Sequence, residues 1–198
     1  MEINAISLNC RGLGDTSKRR SVFNWIQKHP RGPYEVIFLQ ETHSTTENMK
    51  YFKDNWSTYH KNDEILFSHG TSSSKGVLTI IHSKLVQYIQ NTNIDQDGRY
   101  TIVDMDINGT SYCFLNIYAP NLENQNEQLI FWNKVKLILY DRQGSNVIIG
   151  GDLNMFLDGQ LDKSPQNTKL YRAIEEFKQT MDDYNLVDIC TLYITLHL

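Results

Sequence analysis

The chain predicts an α/β fold arranged as a layered sandwich, with sheet against sheet and helices outside. Three observations carry this expectation. The first third reads strand, polar turn, helix, strand, polar turn. The middle holds an Asn108-Gly109 hairpin whose strands are apolar on both faces, so both need cover. The second half places a short branched apolar run between two segments with apolar residues at helical spacing. At 198 residues the chain is long enough to bury one sizeable core, and a single domain over residues 1–198 is expected. It shows no internal repeat and no dividing linker.

Composition narrows the function classes. With 40% hydrophobic and 21% charged residues the chain suits a globular protein. The net charge of −4 argues against nonspecific nucleic-acid binding by a global basic field, though not against a locally positive groove. Cys10, Cys113 and Cys190 are widely spaced and form no CxxC pair, which fits reduced thiols better than disulfides or a zinc site. Neither a secretory signal nor the roughly 20 apolar residues of a membrane span is present. A soluble intracellular protein, monomeric by default, is expected. Nucleus and cytoplasm are not distinguished, and Lys18-Arg19-Arg20 reads as a solvated helix start.

Taken in order, Ile3 to Asn9 alternate as a strand with Ile6 and Leu8 on one face. Asp15 or Thr16 can cap a helix to about Lys28, with Val22, Trp25, Ile26 and His29 on one face. Glu35 to Gln40 read as a buried strand that ends in Glu41-Thr42-His43. Thr45 to Trp56 form a short helix or irregular segment, and His69 to Lys75 a loop before the strand Val77 to Ile81. The Asn108-Gly109 turn pairs Ile107 with Thr110, Met105 with Tyr112, Val103 with Phe114 and Thr101 with Asn116, all on one face. Asn116 and Tyr118 extend that face past the apolar pairs. A helix follows from about Glu123 to Tyr140, striped by Leu129, Trp132, Val135 and Leu139. Val147-Ile148-Ile149 read as a short buried strand ending in Gly150-Gly151-Asp152-Leu153-Asn154. A last helix near Thr168 to Asp183 carries Leu170, Ile174, Phe177 and Met181.

The strand ends therefore deliver Asn9, Glu41, the Tyr118/Asn121 turn, and Asp152 with Asn154. Gly, Asp and Asn are also ordinary turn residues, so each group alone is compatible with a strand that simply stops. As a set they suit phosphorus chemistry. A carboxylate such as Glu41 suits Mg²⁺, a hard cation with oxygen ligands. A second carboxylate can take a proton from an attacking water. Amides and a phenol can hold phosphate oxygens as charge shifts.

The ordered blocks are Leu8-Asn9-Cys10-Arg11-Gly12-Leu13, Leu39-Gln40-Glu41-Thr42-His43, Lys75-Gly76-Val77, Asn116-Ile117-Tyr118-Ala119-Pro120-Asn121, Gly150-Gly151-Asp152-Leu153-Asn154 and Leu186-Val187-Asp188. In order and approximate spacing they resemble the endonuclease/exonuclease/phosphatase family. Within it they look like the apurinic-endonuclease-like domain of non-LTR (LINE-type) retrotransposons. The resemblance runs from residue 3 to about residue 190. It implies a four-layer α-β-β-α sandwich and a metal-dependent phosphodiesterase that nicks DNA, contacting its phosphate backbone. It further implies that Glu41 binds Mg²⁺ or Mn²⁺ with Asn9 beside it, and that Tyr118 and Asn121 contact the scissile phosphate. Asp152 would orient or deprotonate the attacking water, and Asn154 would hold a phosphate oxygen. His43 is expected to serve a structural hydrogen bond rather than catalysis.

The chain also departs from the pattern. The family continues past Leu186-Val187-Asp188-Ile189 through a strand with a metal-associated aspartate to a Ser-Asp-His motif, and here the sequence runs Thr191-Leu192-Tyr193-Ile194-Thr195-Leu196-His197-Leu198. No acid precedes His197, so the catalytic histidine is not carried onto it. The expectation is a domain incomplete at its C-terminus, without its closing strands, and impaired in nicking by about 10²–10⁴-fold for the missing group. Two other readings stand beside this one: a phosphatase or sphingomyelinase-like phosphodiesterase of the same fold, and a catalytically dead nucleic-acid-binding remnant or non-functional retroelement fragment.

Overall fold

The computed structural model of the chain describes residues 2–155 and 172–188. They fall into two compact units, one from residues 1–119 and 144–153, the other from residues 120–143 and 154–198. The expected start of the last helix at Thr168 to Leu170, and the segment from Ile189 to Leu198 with His197, lie outside the described residues.

The first unit contains two four-stranded sheets. One is built from β1 (Ala5–Asn9), β2 (Val36–Gln40), β4 (Val77–Ile81) and β3 (Glu64–Ser68), in that spatial order. The other is built from β5 (Ile89–Ile94), β6 (Tyr100–Ile107), β7 (Thr110–Tyr118) and β8 (Asn146–Asp152). Helices α1 (Thr16–Lys28), α2 (Met49–Ser57) and the short α3 (Ser83–Val86) belong to the same unit. Two pairs are parallel, β1 with β2 and β7 with β8, and their registers end at Asn9 opposite Gln40 and Tyr118 opposite Asp152. Parallel pairing puts the carboxyl ends of both strands at one edge of their sheet. That is why the polar strand ends collect in pairs.

Alternation along the strands then decides which side chains meet. Ile37, Leu39, Leu78 and Ile80 face outward and pack with Phe23 and Ile26 of α1 and Phe52 and Trp56 of α2. Val36, Phe38, Leu66 and Ile81 face inward and share a core with Val103, Met105, Ile107 and Phe114 of the second sheet. Every expected hairpin pair is in register, from Ile107 with Thr110 to Tyr100 with Ile117. The turn holds Asn108 at φ 55° and Gly109 at φ 81°, the signs a type I′ turn requires.

Toward the carboxyl ends the inner layer turns polar. Gln40 Nε2 donates to Asn116 Oδ1 at 2.7 Å, and Asn116 Nδ2 donates to Leu78 O and to Thr79 Oγ1, both at 3.0 Å. Thr79 Oγ1 in turn lies 2.7 Å from Thr101 Oγ1. All four side chains are buried. Buried polar groups of this kind are costly unless each finds its partner, so the chain of bonds tolerates only one alignment of the sheets. Gly150 tightens the same contact: a Cβ there would stand 2.3 Å from Cδ2 of Phe38. Gly151, at φ 142°, would bring a Cβ to 2.0 Å from Ile117 O.

Several expectations need correction. The buried face of α1 is Arg19, Phe23 and Ile26, whereas Trp25 is 47% exposed. Arg19 is not solvated. Its guanidinium donates to Leu13 O, Gly14 O, Asn55 Oδ1 and Thr16 Oγ1 and lies over the Phe52 ring. Five partners replace water around the charge, which lets an arginine substitute for an apolar residue on that face. Val147, Ile148 and Ile149 are half-buried rather than buried, because β8 ends the strand order of its sheet. Strands β3 and β5 were not expected. β5 is largely exposed, and its Asn-Thr-Asn centre lacks an apolar alternation to read.

The second unit contains α4 (Gln125–Tyr140) and α5 (Arg172–Asp183). Trp132, Val135 and Leu139 are buried as expected, joined by Gln128 and Phe131, while Leu129 is half-buried. The Trp132 ring packs against Phe177 of α5 at 4.3 Å between centroids. No helix among the described residues is long and apolar enough to cross a membrane.

Two stability experiments follow. Gly150→Ala should cost about 1–3 kcal/mol by overpacking against Phe38, read as a lower urea midpoint. The same change in a Phe38→Leu background should cost less, and equal costs in both would contradict the contact. Glu35, 3% exposed, takes hydrogen bonds from Lys84 Nζ and from the backbone N–H of Asn4, each at 2.6 Å. Burial opposes its ionisation, but Lys84, Asn4 and His82 outweigh it and hold the carboxyl below its ordinary value. A depressed folded pKa contributes stability above the unfolded value of about 4.3, lost as pH falls through the folded pKa. Glu35→Gln should therefore flatten the loss of stability below about pH 4.3, and an unchanged acid limb would count against the pair.

Candidate active site

Glu41 follows directly on β2 at φ 49°, a left-handed conformation that aims its side chain along the carboxyl edge of the first sheet. The surrounding backbone over-determines that strain. Gly12 N–H donates to Glu41 O at 2.7 Å and Leu13 N–H to Thr42 O at 3.0 Å. On the other side Thr42 N–H donates to Gly76 O and His43 N–H to Lys75 O. Arg11, His43, Lys75 and Asn154 also have positive φ, so non-glycine strain gathers in these loops. Each such residue costs on the order of 1–3 kcal/mol and persists where neighbours enforce it, as they do around ligand sites.

Asn9 joins the two sheets. Its Nδ2 donates to Glu41 Oε1 at 2.7 Å and to Asp152 Oδ2 at 2.6 Å. Its Oδ1 accepts the Arg11 N–H at 3.0 Å, which fixes the orientation of the amide. Two carboxyl groups thus share one amide nitrogen in a half-buried setting. The oxygen-rich donor set fits a hard divalent cation. The structure thus brings Asn9, Glu41 and Asp152 together.

Tyr118 stands opposite Asp152 in the β7–β8 register and, by alternation, on the same face of the sheet. The backbone ties this end down, with Ala119 N–H donating to Asp152 O at 2.9 Å and Tyr118 N–H to Arg99 O at 2.7 Å. Arg99 was not singled out from the sequence. Its guanidinium lies 5.3 Å from the Tyr118 ring centroid and donates to the carbonyls of Tyr118 and Ala119. A single arginine after a glycine carries no motif, and only the β5–β6 turn places it here. Asn121, exposed, and Asn154, half-buried, belong to the second unit and sit on the chain just after Tyr118 and Asp152.

Two neighbours are set apart from the chemistry. The Cys10 thiol is pushed up to about 12, chiefly by burial, so it stays protonated at neutral pH. The His43 ring fills the space over Gly12, where a Cβ would meet its Nδ1 at 2.8 Å, and its carbonyl accepts from Asn48 Nδ2. Burial lowers its pKa against the pull of Glu41.

Comparison with known proteins agrees with this architecture. Residues 6–181 match the model of the endonuclease/exonuclease/phosphatase family. The chain is 24% identical over 189 residues to the "Transposon TX1 uncharacterized 149 kDa protein" of Xenopus laevis, covering 96% of this chain but only 14% of that protein. Among solved structures it resembles an AP endonuclease from Leishmania major, with a TM-score of 0.69 at 16% identity, covering 92% of this chain and 67% of that one. It also resembles D. rerio TDP2 complexed with a single-strand DNA product, with a TM-score of 0.56 at 14% identity, covering 81% of this chain and 64% of that one. These likenesses are of fold, and the family match spans most of the sequence: the chain belongs to the endonuclease/exonuclease/phosphatase family.

Proposed function

We propose that the chain is the DNA-nicking endonuclease domain of a non-LTR retrotransposon, a phosphodiesterase that works with Mg²⁺ or Mn²⁺. The observation that carries this is the Asn9 amide shared between Glu41 and Asp152. On this reading Glu41 is the cation ligand, with Asn9 holding it in place. The cation, when bound, supplies Lewis-acid charge to a phosphate oxygen and to the leaving group. Asp152 orients or deprotonates the attacking water. Its bond to Asn9 fixes the carboxylate without neutralising it, which is what a general base needs.

Tyr118 and Asn121 would hold the scissile phosphate, and Asn154 a further phosphate oxygen. Arg99 adds a fixed positive charge behind Tyr118 and suits an anionic backbone. The transposon relative supports the retroelement assignment, and the AP endonuclease and TDP2 likenesses support DNA as the substrate class. No Ser-Asp-His occurs in the 198 residues, so the chain by itself should nick weakly.

Supercoiled plasmid incubated with the purified chain and Mg²⁺ should convert slowly to the open circle and stop on chelation. Asp152→Ala should abolish the conversion, and Asn9→Ala should slow it by at least about 10-fold through loss of alignment. Nicking that persists unchanged in Asp152→Ala would refute the assignment. Rapid nicking lost in that variant would show that the chain does not need the Ser-Asp-His group.

A further inference from the structure

The opposite edge of the first sheet carries a second cluster of ligand-bearing side chains that the nuclease reading does not use. β2 and β4 are antiparallel, so the carboxyl end of β4 lies at the amino end of β2, away from Glu41. Glu64 pairs with Ile81 there, and the next residue out on each strand is Asp63 and His82. His60, just after α2, is the third member. One ligand atom from each of His60, Asp63 and His82 lies within 4.8 Å of the others. All three residues are half-buried.

Asp63 and His60 are held in advance. Trp56 Nε1 donates to Asp63 Oδ2 at 3.0 Å and Ser83 N–H to Asp63 Oδ1 at 2.8 Å, which fixes the carboxylate and leaves each oxygen a lone pair. His60 Nε2 lies 2.8 Å from Gln27 Oε1, the outer hydrogen bond that leaves Nδ1 as the lone-pair nitrogen. His82 Nδ1 accepts the Lys84 N–H at 3.2 Å, and its Nε2 has no protein partner among the described residues. The two imidazole rings meet edge to face with centroids 5.1 Å apart. Ile26, Pro33, Tyr34 and Trp56 line the cleft beside them, an apolar wall on one side of the donors.

We propose that His60, Asp63 and His82 bind a borderline divalent transition metal of the zinc class. Two neutral imidazoles and one carboxylate suit such an ion and not Mg²⁺, which prefers oxygen donors and water. Ligands about 2.0–2.2 Å from a tetrahedral ion lie roughly 3.3 Å apart, so the donors close by small side-chain rotations. Binding at His82 Nε2 moves the ring proton to Nδ1 and gives up the long Lys84 contact. Water takes the fourth position. The ion staples the turn between α2 and β3 to the start of α3, a structural role independent of the nuclease reading.

Cobalt(II) titrated into the chain in excess Mg²⁺, added to compete at the carboxylates, reports the ligands by its visible absorption. One cobalt per chain, displaced by zinc, is the expected result. His60→Ala and His82→Ala should each weaken it at least about 100-fold, while Asp152→Ala leaves it unchanged. No absorption from the wild-type chain, equal binding by the His60→Ala/His82→Ala double variant, or loss in Asp152→Ala would each overturn the site. If the alanine variants fail to fold, the NMR spectrum of the cobalt-loaded wild type decides. Hyperfine-shifted ring protons from two histidines support the proposal, and their absence overturns it.

Discussion

The amide nitrogen of Asn9 bonds at once to Glu41 of the first sheet and Asp152 of the second, and this sharing draws two strand ends together. It works only if the sheets face each other in one alignment. The buried chain from Gln40 through Asn116 to Thr79 and Thr101 enforces that alignment one layer below. An apolar interface of the same shape would tolerate sliding, since hydrophobic contact is non-directional. Directed bonds do not. Gly150 lets β8 come close enough to Phe38 for the bond to Asp152 to form.

The strain in the loops belongs to the same arrangement. Glu41 holds a left-handed backbone because the β1–α1 loop bonds to Glu41 and Thr42 while the Lys75-Gly76 turn bonds to Thr42 and His43. Glu41 and Asp152 bring carboxyl oxygens to one amide, a donor set that suits a hard divalent cation.

Much of this could be read from the residues. Asn9, Glu41 and Asp152 stand out because each ends an apolar run, and the Asn108-Gly109 turn gives every pair of its hairpin by counting. What escaped depends on tertiary context. Arg19 looked solvated because charge usually is, and only its five partners show otherwise. Arg99 and the His60, Asp63 and His82 group are scattered single residues, drawn together by sheet register. Gln40 and Asn116 were visible inside their blocks, but their pairing joins strands of different sheets and leaves no local signal.

On the proposed reading Glu41, held by Asn9 beside Asp152, binds a divalent cation whether or not this chain turns over quickly. Manganese binding followed by electron paramagnetic resonance tests it directly, since bound Mn²⁺ loses the sharp signal of the free ion. One Mn²⁺ per chain is expected, competed by Mg²⁺, weakened at least about 10-fold by Glu41→Gln and unaffected by His60→Ala. Binding that Glu41→Gln leaves unchanged would contradict the account.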